Sequence, residues 1–309
     1  MGGGNQPAVE VVEVAPRDGL QNERHHLGTA TKLELIDRVV AAGAGRVEVT
    51  GFARPDVVPA LADADEVAAA FSGRPGVEWS ALVLNGRGYD RAMAAGIRAV
   101  NMVVLATETF SQRNQRLSVD AAIAVAETLR ERSAADGVRF TVTVGAAFGC
   151  PFEGEVSLER LRTVLDQVTR LDPDELALAD TIGVGTPGDV LDRFRLAREL
   201  VPDRPLRAHF HDTRNTGIAN AVAAVGAGVT ALDSSLAGIG GCPFAPNATG
   251  NIATEDLVYC LHRMGVPTGL DLESLLTDAD WLPRQLGREP TSALVRAGVF
   301  PPPVGSGQL

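Results

Sequence analysis

The sequence contains one clear strand-and-helix unit, Glu175-Leu-Ala-Leu-Ala-Asp180 followed by Thr186-Pro-Gly-Asp-Val-Leu-Asp-Arg-Phe-Arg-Leu-Ala-Arg-Glu-Leu-Val201. The first run is apolar and ends in a polar residue, which is typical of a buried parallel strand. Pro187 takes the first helical position, where its missing N–H costs nothing. The apolar face of the predicted helix comprises Val190, Phe194, Ala197 and Val201. The unit therefore predicts a strand, a short turn and an amphipathic helix.

Similar strands recur along the chain. The eight candidate strands begin near Val9, Arg46, Glu78, Arg98, Val138, Glu175, Leu206 and Val229. Their spacing of roughly 20 to 40 residues leaves room for one helix per crossover, and eight such units are what a closed parallel barrel requires. We therefore predict an α/β fold, a (β/α)8 TIM barrel with a C-terminal helical appendage. An open doubly wound sheet shares the alternation and remains the alternative.

The clearest predicted helix begins at Thr31, whose spacing to Glu34 matches a capping box. Gly43 would end it. The apolar face would comprise Leu33, Ile36 and Val40. For the whole chain, we predict that residues 1–270 form the barrel and that residues 271–309 form a helical extension and tail packed on it.

Composition excludes several classes of protein. The chain has 28 Lys+Arg against 39 Asp+Glu, a net charge of -11, which argues against a nucleic-acid groove or a polybasic membrane patch. It contains neither an apolar run of about 18 residues nor the pattern of a signal peptide, so we expect a cytoplasmic protein. The three cysteines, Cys150, Cys242 and Cys260, have no CxxC spacing, which argues against disulfides and structural zinc.

The basic residues are almost all arginine, and Lys32 is the only lysine. A lyase that activates its substrate through a Schiff base needs a lysine in its site. If this chain breaks carbon–carbon bonds, metal chemistry is therefore the better expectation.

Polar residues fall at the carboxyl ends of the predicted strands, where parallel barrels place their reactive groups. These residues are Arg17 and Asp18 after the first strand, Glu48 in the second, Asp180 at the end of the sixth, and His209-Phe-His211-Asp212 at the end of the seventh. The remaining histidines, His25, His26 and His262, are predicted to lie on the surface.

The histidine pair predicts a metal site. His209 and His211 are two residues apart on an extended segment, so both imidazoles point to one face, about 7 Å apart along the chain. Asp18 and the amide oxygen of Asn251, after the eighth strand, would complete a nitrogen and oxygen shell. Such a shell suits Mg²⁺ or Mn²⁺, with Zn²⁺ and Co²⁺ as alternatives. The competing interpretation is a pair of hydrogen-bonded core histidines.

Glu48 and Asp180 also have both a functional and a purely structural interpretation. Glu48 inside an apolar strand is costly unless paired, and Arg17 is its natural partner. A buried ion pair without chemistry is the alternative. Asp180 could order the site or only cap the turn before Thr181.

Two glycine-rich segments follow strands. The segment Gly238–Gly250 carries Cys242 and could close over a substrate or serve only as a connection. Gly183-x-Gly185-x-x-Gly188 matches a dinucleotide fingerprint by letter, but it follows the sixth strand rather than the first, so we reject NAD binding. A turn before a helix N-terminus that contacts a phosphate stays open as an alternative.

These motifs resemble one known family. They are Val14-Ala-Pro-Arg-Asp-Gly-Leu-Gln-Asn-Glu23, Leu178-Ala-Asp-Thr-Ile-Gly-Val-Gly-Thr-Pro187, His209-Phe-His-Asp-Thr213, Ser235-Leu-Ala-Gly-Ile-Gly-Gly-Cys-Pro-Phe244 and Gly250-Asn251. Together they resemble the 3-hydroxy-3-methylglutaryl-CoA (HMG-CoA) lyase family of the DRE-TIM metallolyases, in order from about Val9 to Leu276. The glycine-cysteine loop is the most specific of them.

The resemblance implies a role for each site residue. Asp18, His209, His211 and Asn251 would bind the divalent metal, and Arg17 would stabilise the thioester or enolate oxygen. Glu48 and Asp180 would order the site, and Cys242 would lie on the closing loop.

The implied reaction is the retro-Claisen cleavage of HMG-CoA to acetyl-CoA and acetoacetate, as in leucine degradation and ketone-body metabolism. The metal would activate the substrate hydroxyl. His209 or Asp18 would take its proton, and Cys242 or a water would return one to the acetyl carbon. We expect a CoA thioester substrate, a homodimer, and no nucleic-acid or membrane partner.

The sequence departs from the family pattern near the site. Arg214-Asn215 replaces an expected Tyr-Gly, and Ala146 stands where a cysteine is frequent. These departures keep open a lyase for another 3-hydroxy-3-carboxyacyl-type thioester, such as citramalyl-CoA. A superfamily 4-hydroxy-2-oxoacid aldolase or Claisen synthase, and a non-catalytic barrel, are the further alternatives.

Overall fold

The protein is described from a computed structural model that covers residues 8–241 and 250–301. Eight parallel strands close into a barrel in the order β1-β10-β9-β8-β5-β4-β3-β2. The barrel strands are β1 (Glu10–Glu13), β2 (Arg46–Gly51), β3 (Glu78–Leu82), β4 (Ala99–Leu105), β5 (Arg139–Gly145), β8 (Glu175–Asp180), β9 (Leu206–Phe210) and β10 (Ala231–Ser234). The short strands β6 (Gly149–Cys150) and β7 (Gly154–Glu155) form a separate antiparallel hairpin after β5.

Helices follow the strands and cover the outside of the barrel. They are α1 (Thr29–Ala41), α2 (Ala64–Phe71), α3 (Gly86–Ala94), α4 (Glu108–Gln115), α5 (Val119–Asp136), α6 (Leu158–Val168), α7 (Pro187–Leu200), α8 (Gly217–Gly226), α9 (Thr254–Arg263), α10 (Leu272–Gln285) and α11 (Ala293–Ala297). No helix in the described ranges is long and apolar enough to cross a membrane.

The predicted (β/α)8 barrel is confirmed. Strand β1 pairs with both β2 and β10, which closes the sheet and excludes the doubly wound alternative. Each of the eight barrel strands begins within two residues of its predicted start, while the β6–β7 hairpin was not predicted. The agreement follows from burial on both faces, which makes parallel barrel strands short apolar runs that stand out in the sequence.

The two predicted helix starts had different outcomes. Thr186 caps α7 through a capping box with Asp189, and the predicted apolar face of α7 is buried. The capping box predicted at Thr31 is wrong, because α1 begins two residues earlier, after Gly28, without a side-chain cap. Glu34 is exposed and pairs with Arg38 instead. Of the predicted apolar face only Ile36 is fully buried, while Leu33 and Val40 are half-buried.

Charged residues fill the amino-terminal end of the barrel. Arg46 makes two parallel hydrogen bonds of 2.9 Å with Glu175, and it also bonds Glu78. Arg139 bonds Glu175 as well, and Arg207 lies beside it. Each of these residues is the first or second of its strand. The ion pairs therefore fill the amino-terminal end of the barrel, opposite the carboxyl ends of the strands.

The C-terminal helices pack on the barrel. Leu275, Ala279 and Leu282 bury one face of α10. Arg38 on α1 bonds Asp278 at 2.9 Å and stacks on Trp281. The position of the division at residue 270 stays a prediction.

Candidate active site

The first strand runs directly into a single π-helical turn, Ala15–Gly19, that carries Arg17 and Asp18. Val14 O accepts hydrogen bonds from the backbone N–H groups of Arg17 and Gly19. Turns of this kind are frequent at functional sites, because the extra residue reorients side chains. Here the turn directs both side chains over the carboxyl end of the barrel.

The two predicted histidines meet at the end of β9. His209 Nδ1 lies 3.1 Å from Asp233 Oδ2 on β10, so its Nε2 is left facing the barrel mouth. His211 Nε2 lies 3.1 Å from that same Nε2 atom. A carboxylate behind a metal-binding imidazole is common in proteins, since it fixes the tautomer and the ring orientation.

Asp18 and Asn251 complete the cluster. Asp18 Oδ2 is 3.9 Å from the Nε2 atom of each histidine. Asn251 Nδ2 donates to the same oxygen at 2.9 Å and to Ile239 O at 3.1 Å. A bridge between the backbones of His211 and Asn251 brings the asparagine to the histidine pair. The ligand atoms of the two histidines and Asp18 all lie within 4.8 Å of one another.

These residues fit a divalent cation. Asn251 Oδ1 is buried and has no hydrogen-bond partner among the described residues, although an unpaired buried oxygen is costly. Two nitrogens, a carboxylate and an amide oxygen are ligands that Mg²⁺, Mn²⁺ and Zn²⁺ accept. Gly240, at φ +110°, permits this packing, because a Cβ there would lie 2.6 Å from Asn251 Nδ2.

The surroundings shift the protonation of these groups. Burial raises the pKa of Asp18, but the charges of Arg17 and His209 outweigh it and hold the pKa well below its ordinary value. Burial and the neighbouring His209 lower the pKa of His211 to about 4, which keeps the ring neutral. Burial also lowers the pKa of His209, but the bond to Asp233 and the charge of Asp18 raise it overall. A carboxylate and a neutral imidazole are the forms that bind metals, so Asp18 and His211 are suited to a cation, whereas a protonated His209 would have to release its proton to bind one.

The expected ion pair between Arg17 and Glu48 is present. Arg17 Nη2 donates to Glu48 Oε2 at 2.8 Å, and Nη1 donates to Asp18. Burial alone would lower the pKa of Arg17, but the negative charges of Glu48 and Asp18 outweigh burial and raise the pKa above its ordinary value. Arg17 is only 7 % exposed, so it is a buried cation at the edge of the cation site.

Asp180 shapes the neighbouring turn. Its carboxylate accepts the backbone N–H groups of Val184 and Gly185 at 3.0 and 2.8 Å. Burial raises its pKa above the ordinary value despite these bonds. The turn also needs Gly183, at φ +60°, since a Cβ there would approach His211 O to 2.7 Å. Asp180 thus supports the histidine segment from behind.

Other predicted residues lie away from the cluster. His25, His26 and His262 are exposed, as predicted. Lys32 is buried, and its Nζ donates to Ala60 O and to Asp63. Cys242 lies outside the described residues.

Sequence reasoning missed Asp233, Asn101 and Thr143. Asp233 is a carboxylate inside an apolar strand, the same signal that singled out Glu48. Asn101 and Thr143 are polar residues on the inner faces of β4 and β5, and nothing local distinguishes them.

A cavity of about 160 Å³ opens beside the cluster. Its polar wall includes Arg17, Asp18, His209, His211, Asn101 and Thr143. Its apolar wall includes Val58, Leu82, Leu84, Val103, Leu105 and Phe110. The cavity therefore joins a site for a cation to a pocket for a small, partly apolar group.

A closed parallel barrel that gathers histidines, a carboxylate and an arginine at its carboxyl end defines the class of TIM-barrel enzymes with a candidate metal site. Within that class, the chain belongs to the HMGL-like family, whose model matches residues 8–281.

Curated relatives and solved structures agree with this assignment. The chain is 44 % identical to the (R)-citramalyl-CoA lyase of Chloroflexus aurantiacus, over 97 % of this chain and 98 % of the relative. It is 40 % identical to the hydroxymethylglutaryl-CoA lyase of Pseudomonas mevalonii, over 94 % and 96 %. A crystallised HMG-CoA lyase of Acinetobacter baumannii, in complex with coenzyme A and 3-methylmalate, matches with a TM-score of 0.92, 34 % identity and full coverage of both chains. The protein is therefore a carbon–carbon lyase, and the alternative of a non-catalytic barrel is set aside.

Proposed function

We propose that the protein is a metal-dependent lyase that cleaves a 3-hydroxy-3-methylacyl-CoA thioester, with HMG-CoA as the first candidate substrate. Its products would be acetyl-CoA and acetoacetate. The observation that carries the proposal is the convergence of Asp18, His209, His211 and Asn251 beside Arg17 and a cavity.

The four clustered residues would hold the cation. A bound divalent cation supplies Lewis acidity, which makes an alcohol easier to deprotonate at neutral pH. Asp233 would keep His209 oriented, as its 3.1 Å contact with Nδ1 supports. Burial of His211 and Asn251, each 3 % exposed, would exclude water from the ligands.

Cleavage breaks one carbon–carbon bond and moves two protons. The substrate hydroxyl loses a proton to Asp18 or His209, its carbon becomes a carbonyl, and the bonding electrons pass to the acetyl carbon and its thioester oxygen. Arg17 would stabilise that developing negative charge, since a guanidinium stays protonated. A proton then reaches the acetyl carbon from Cys242 or from a water.

A second candidate substrate is citramalyl-CoA, which would give acetyl-CoA and pyruvate. It is favoured by the 44 % identity to the Chloroflexus (R)-citramalyl-CoA lyase. Arg214, one of the two departures after the histidine pair, contacts the turn that Asp180 shapes. Its Nη1 donates to Ile182 O and Gly183 O at 3.0 and 2.9 Å and so joins the two turns beside the site.

One assay series tests the proposal. The purified protein is dialysed against chelator, reloaded with Mg²⁺ or Mn²⁺, and offered HMG-CoA and (R)-citramalyl-CoA in parallel. Acetoacetate and pyruvate are measured separately, together with acetyl-CoA. A 4-hydroxy-2-oxo acid, which releases pyruvate without CoA, tests the aldolase alternative. Full activity of the chelated protein, or cleavage of neither thioester, would overturn the proposal.

The proposed enzyme is also expected to be a homodimer. Light scattering of the purified protein at assay concentration measures the mass directly, and a mass near the 32.3 kDa of one chain would reject the dimer.

A further inference from the structure

Four polar side chains form a continuous hydrogen-bonded chain across the barrel mouth. Thr143 Oγ1 donates to Asn101 Oδ1 at 2.8 Å, and Asn101 Nδ2 donates to Glu48 Oε1 at 3.4 Å. Glu48 Oε2 accepts from Arg17 Nη2 at 2.8 Å. All four residues are at most 7 % exposed. We call this chain the Thr143–Arg17 relay.

The direction of the relay is fixed by chemistry. A carboxylate paired with a guanidinium only accepts hydrogen bonds, so Asn101 must turn its amide nitrogen toward Glu48. Its oxygen then faces Thr143, and the hydroxyl, which can donate or accept, must donate. Thr143 thus stabilises the one orientation of Asn101 that serves Glu48.

The relay controls how Glu48 holds Arg17. An unhindered carboxylate tends to bind a guanidinium with both oxygens. The bond from Asn101 turns Oε1 toward β4, and Arg17 is bonded by Oε2. The other terminal nitrogen of Arg17 then reaches Asp18, and the guanidinium lines the cavity.

We infer that Asn101, oriented by Thr143, is a positioning residue that keeps one oxygen of Glu48 away from Arg17 and so keeps the guanidinium directed at the substrate. The inference rests on the proposed function, in which Arg17 stabilises the developing charge. It gives Asn101 on β4 and Thr143 on β5 an effect on catalysis, although neither is a proposed metal ligand.

Asn101 and Thr143 also line the cavity, so direct contact with the substrate is the competing explanation. The two explanations differ in what they change. A positioning residue acts on kcat, because Arg17 counts most in the transition state. A substrate contact acts on binding as well. The unreactive analogue 3-methylglutaryl-CoA, which lacks the hydroxyl that cleavage needs, measures binding alone.

Thr143→Val removes the hydroxyl with little change of shape. We expect kcat to fall about 5- to 10-fold, the usual effect of one buried hydrogen bond, with the Kd of 3-methylglutaryl-CoA unchanged. Thr143→Ser, which keeps the donor, should recover kcat to within about 2-fold. A weaker Kd with unchanged kcat, or a failure of serine to rescue, would overturn the inference.

Thr141→Val is the matched control. Thr141 lies two residues earlier on β5, is 4 % exposed, and donates to Glu175 Oε2 at 3.3 Å in the ion pairs at the opposite end of the barrel. The same substitution there should leave kcat unchanged. An equal loss of kcat in both valine variants would mean a general effect on the barrel and would overturn the inference.

Asn101→Leu tests whether Thr143 acts through Asn101. We expect kcat to fall about 10- to 100-fold, because a hydrogen bond to a charged group is lost. Adding Thr143→Val to Asn101→Leu should then lower kcat no further. Additive losses would show that Thr143 acts by another route and would overturn the inference.

Failure of the proposed function is separable from failure of the relay. If the wild-type protein cleaves no thioester, the function fails, and crystal structures still test the relay. In Thr143→Val we expect the amide of Asn101 to turn and Glu48 to bind Arg17 with both oxygens. An unchanged Glu48 and Arg17 geometry would overturn the relay itself.

Discussion

The Nε2 atoms of His209 and His211 lie 3.1 Å apart and face each other at the barrel mouth. Two unprotonated ring nitrogens cannot hydrogen-bond, so this geometry needs either a shared proton or a cation. Asp18 Oδ2 lies 3.9 Å from both nitrogens, and Asn251 Oδ1 has no partner in the described chain. A cation would satisfy the two nitrogens and the Asp18 oxygen together, whereas a proton satisfies only the two nitrogens.

Replacing His211 should therefore weaken metal binding. We expect His211→Ala, dialysed with Mn²⁺ and measured by elemental analysis, to hold much less metal than the wild type and to lose lyase activity with it. Removing one ligand from the proposed four-ligand site would leave too few donors to compete with water. His25→Ala, at an exposed loop position, is the control and should keep full stoichiometry. Equal metal content in both variants would exclude His211 as a ligand.

Arg17→Met should lower kcat strongly and also destabilise the protein. The loss of one charge-stabilising donor costs about 3 kcal/mol in the transition state, or roughly 100-fold in rate. The sequence alone places Arg17 at a strand end, so its replacement is expected to leave the fold intact. The structure changes that expectation, because Arg17 is buried and its removal leaves Glu48 charged without a cation.

The double variant Arg17→Met with Glu48→Gln separates the two effects. It should recover part of the lost thermal stability, since Glu48 no longer carries a buried charge without a cation, and its kcat should stay as low as that of Arg17→Met. Denaturation midpoints and kcat are measured on the same samples. A wild-type kcat in the double variant would exclude the charge-stabilising role of Arg17.

The positions of single residues along each strand were predictable, and so was the pairing of Arg17 with Glu48, but the contacts of Asp233 and Asn101 were not. The apolar run before Asp180 and the spacing of His209 and His211 are local signals. The structure contains the strand and the histidine contact that they predict. The contact between His209 and Asp233 depends on the register of β9 against β10, which no local pattern reveals. The same holds for Asn101 and its partner Glu48, which come from strands two places apart in the barrel.

Capping shows the same limit. Thr31 and Glu34 carry the letters of a capping box, yet α1 begins after Gly28. A capping motif stabilises a helix by about 1 kcal/mol, which the packing of a buried helix face outweighs. The capping box at Thr186 does form, because this residue follows the turn that Asp180 holds in place.

Lys32 should be dispensable for catalysis. Its Nζ donates to Ala60 O at 2.6 Å and pairs with Asp63, so it is engaged away from the cluster. We expect Lys32→Met to lower the denaturation temperature by several degrees, because Asp63 loses its cation, while kcat stays within about 2-fold. Borohydride reduction in the presence of the oxo-acid product should leave no mass addition on the protein. A covalent adduct at Lys32 would instead support Schiff-base chemistry.

Glu255 should make the protein less stable as pH rises. This buried carboxyl accepts the backbone N–H of Ala237 at 3.1 Å, and burial raises its pKa from 4.5 to about 8. Between those values the folded protein keeps a proton that the unfolded chain has released. The stabilisation is thus complete below pH 4.5 and is lost as the pH passes 8, with a slope of at most about 1.4 kcal/mol per pH unit.

Glu255→Gln removes this titration and should flatten the pH dependence of unfolding. Glu13, whose pKa burial raises to about 7, contributes a similar slope in both proteins, so the difference between them isolates Glu255. Urea unfolding from pH 5 to 8.5 gives the free energy at each pH, and Glu131→Gln, on the exposed side of α5, controls for the loss of one charge. If wild type and Glu255→Gln lose stability in parallel across this range, the buried carboxyl does not hold its proton in the folded protein.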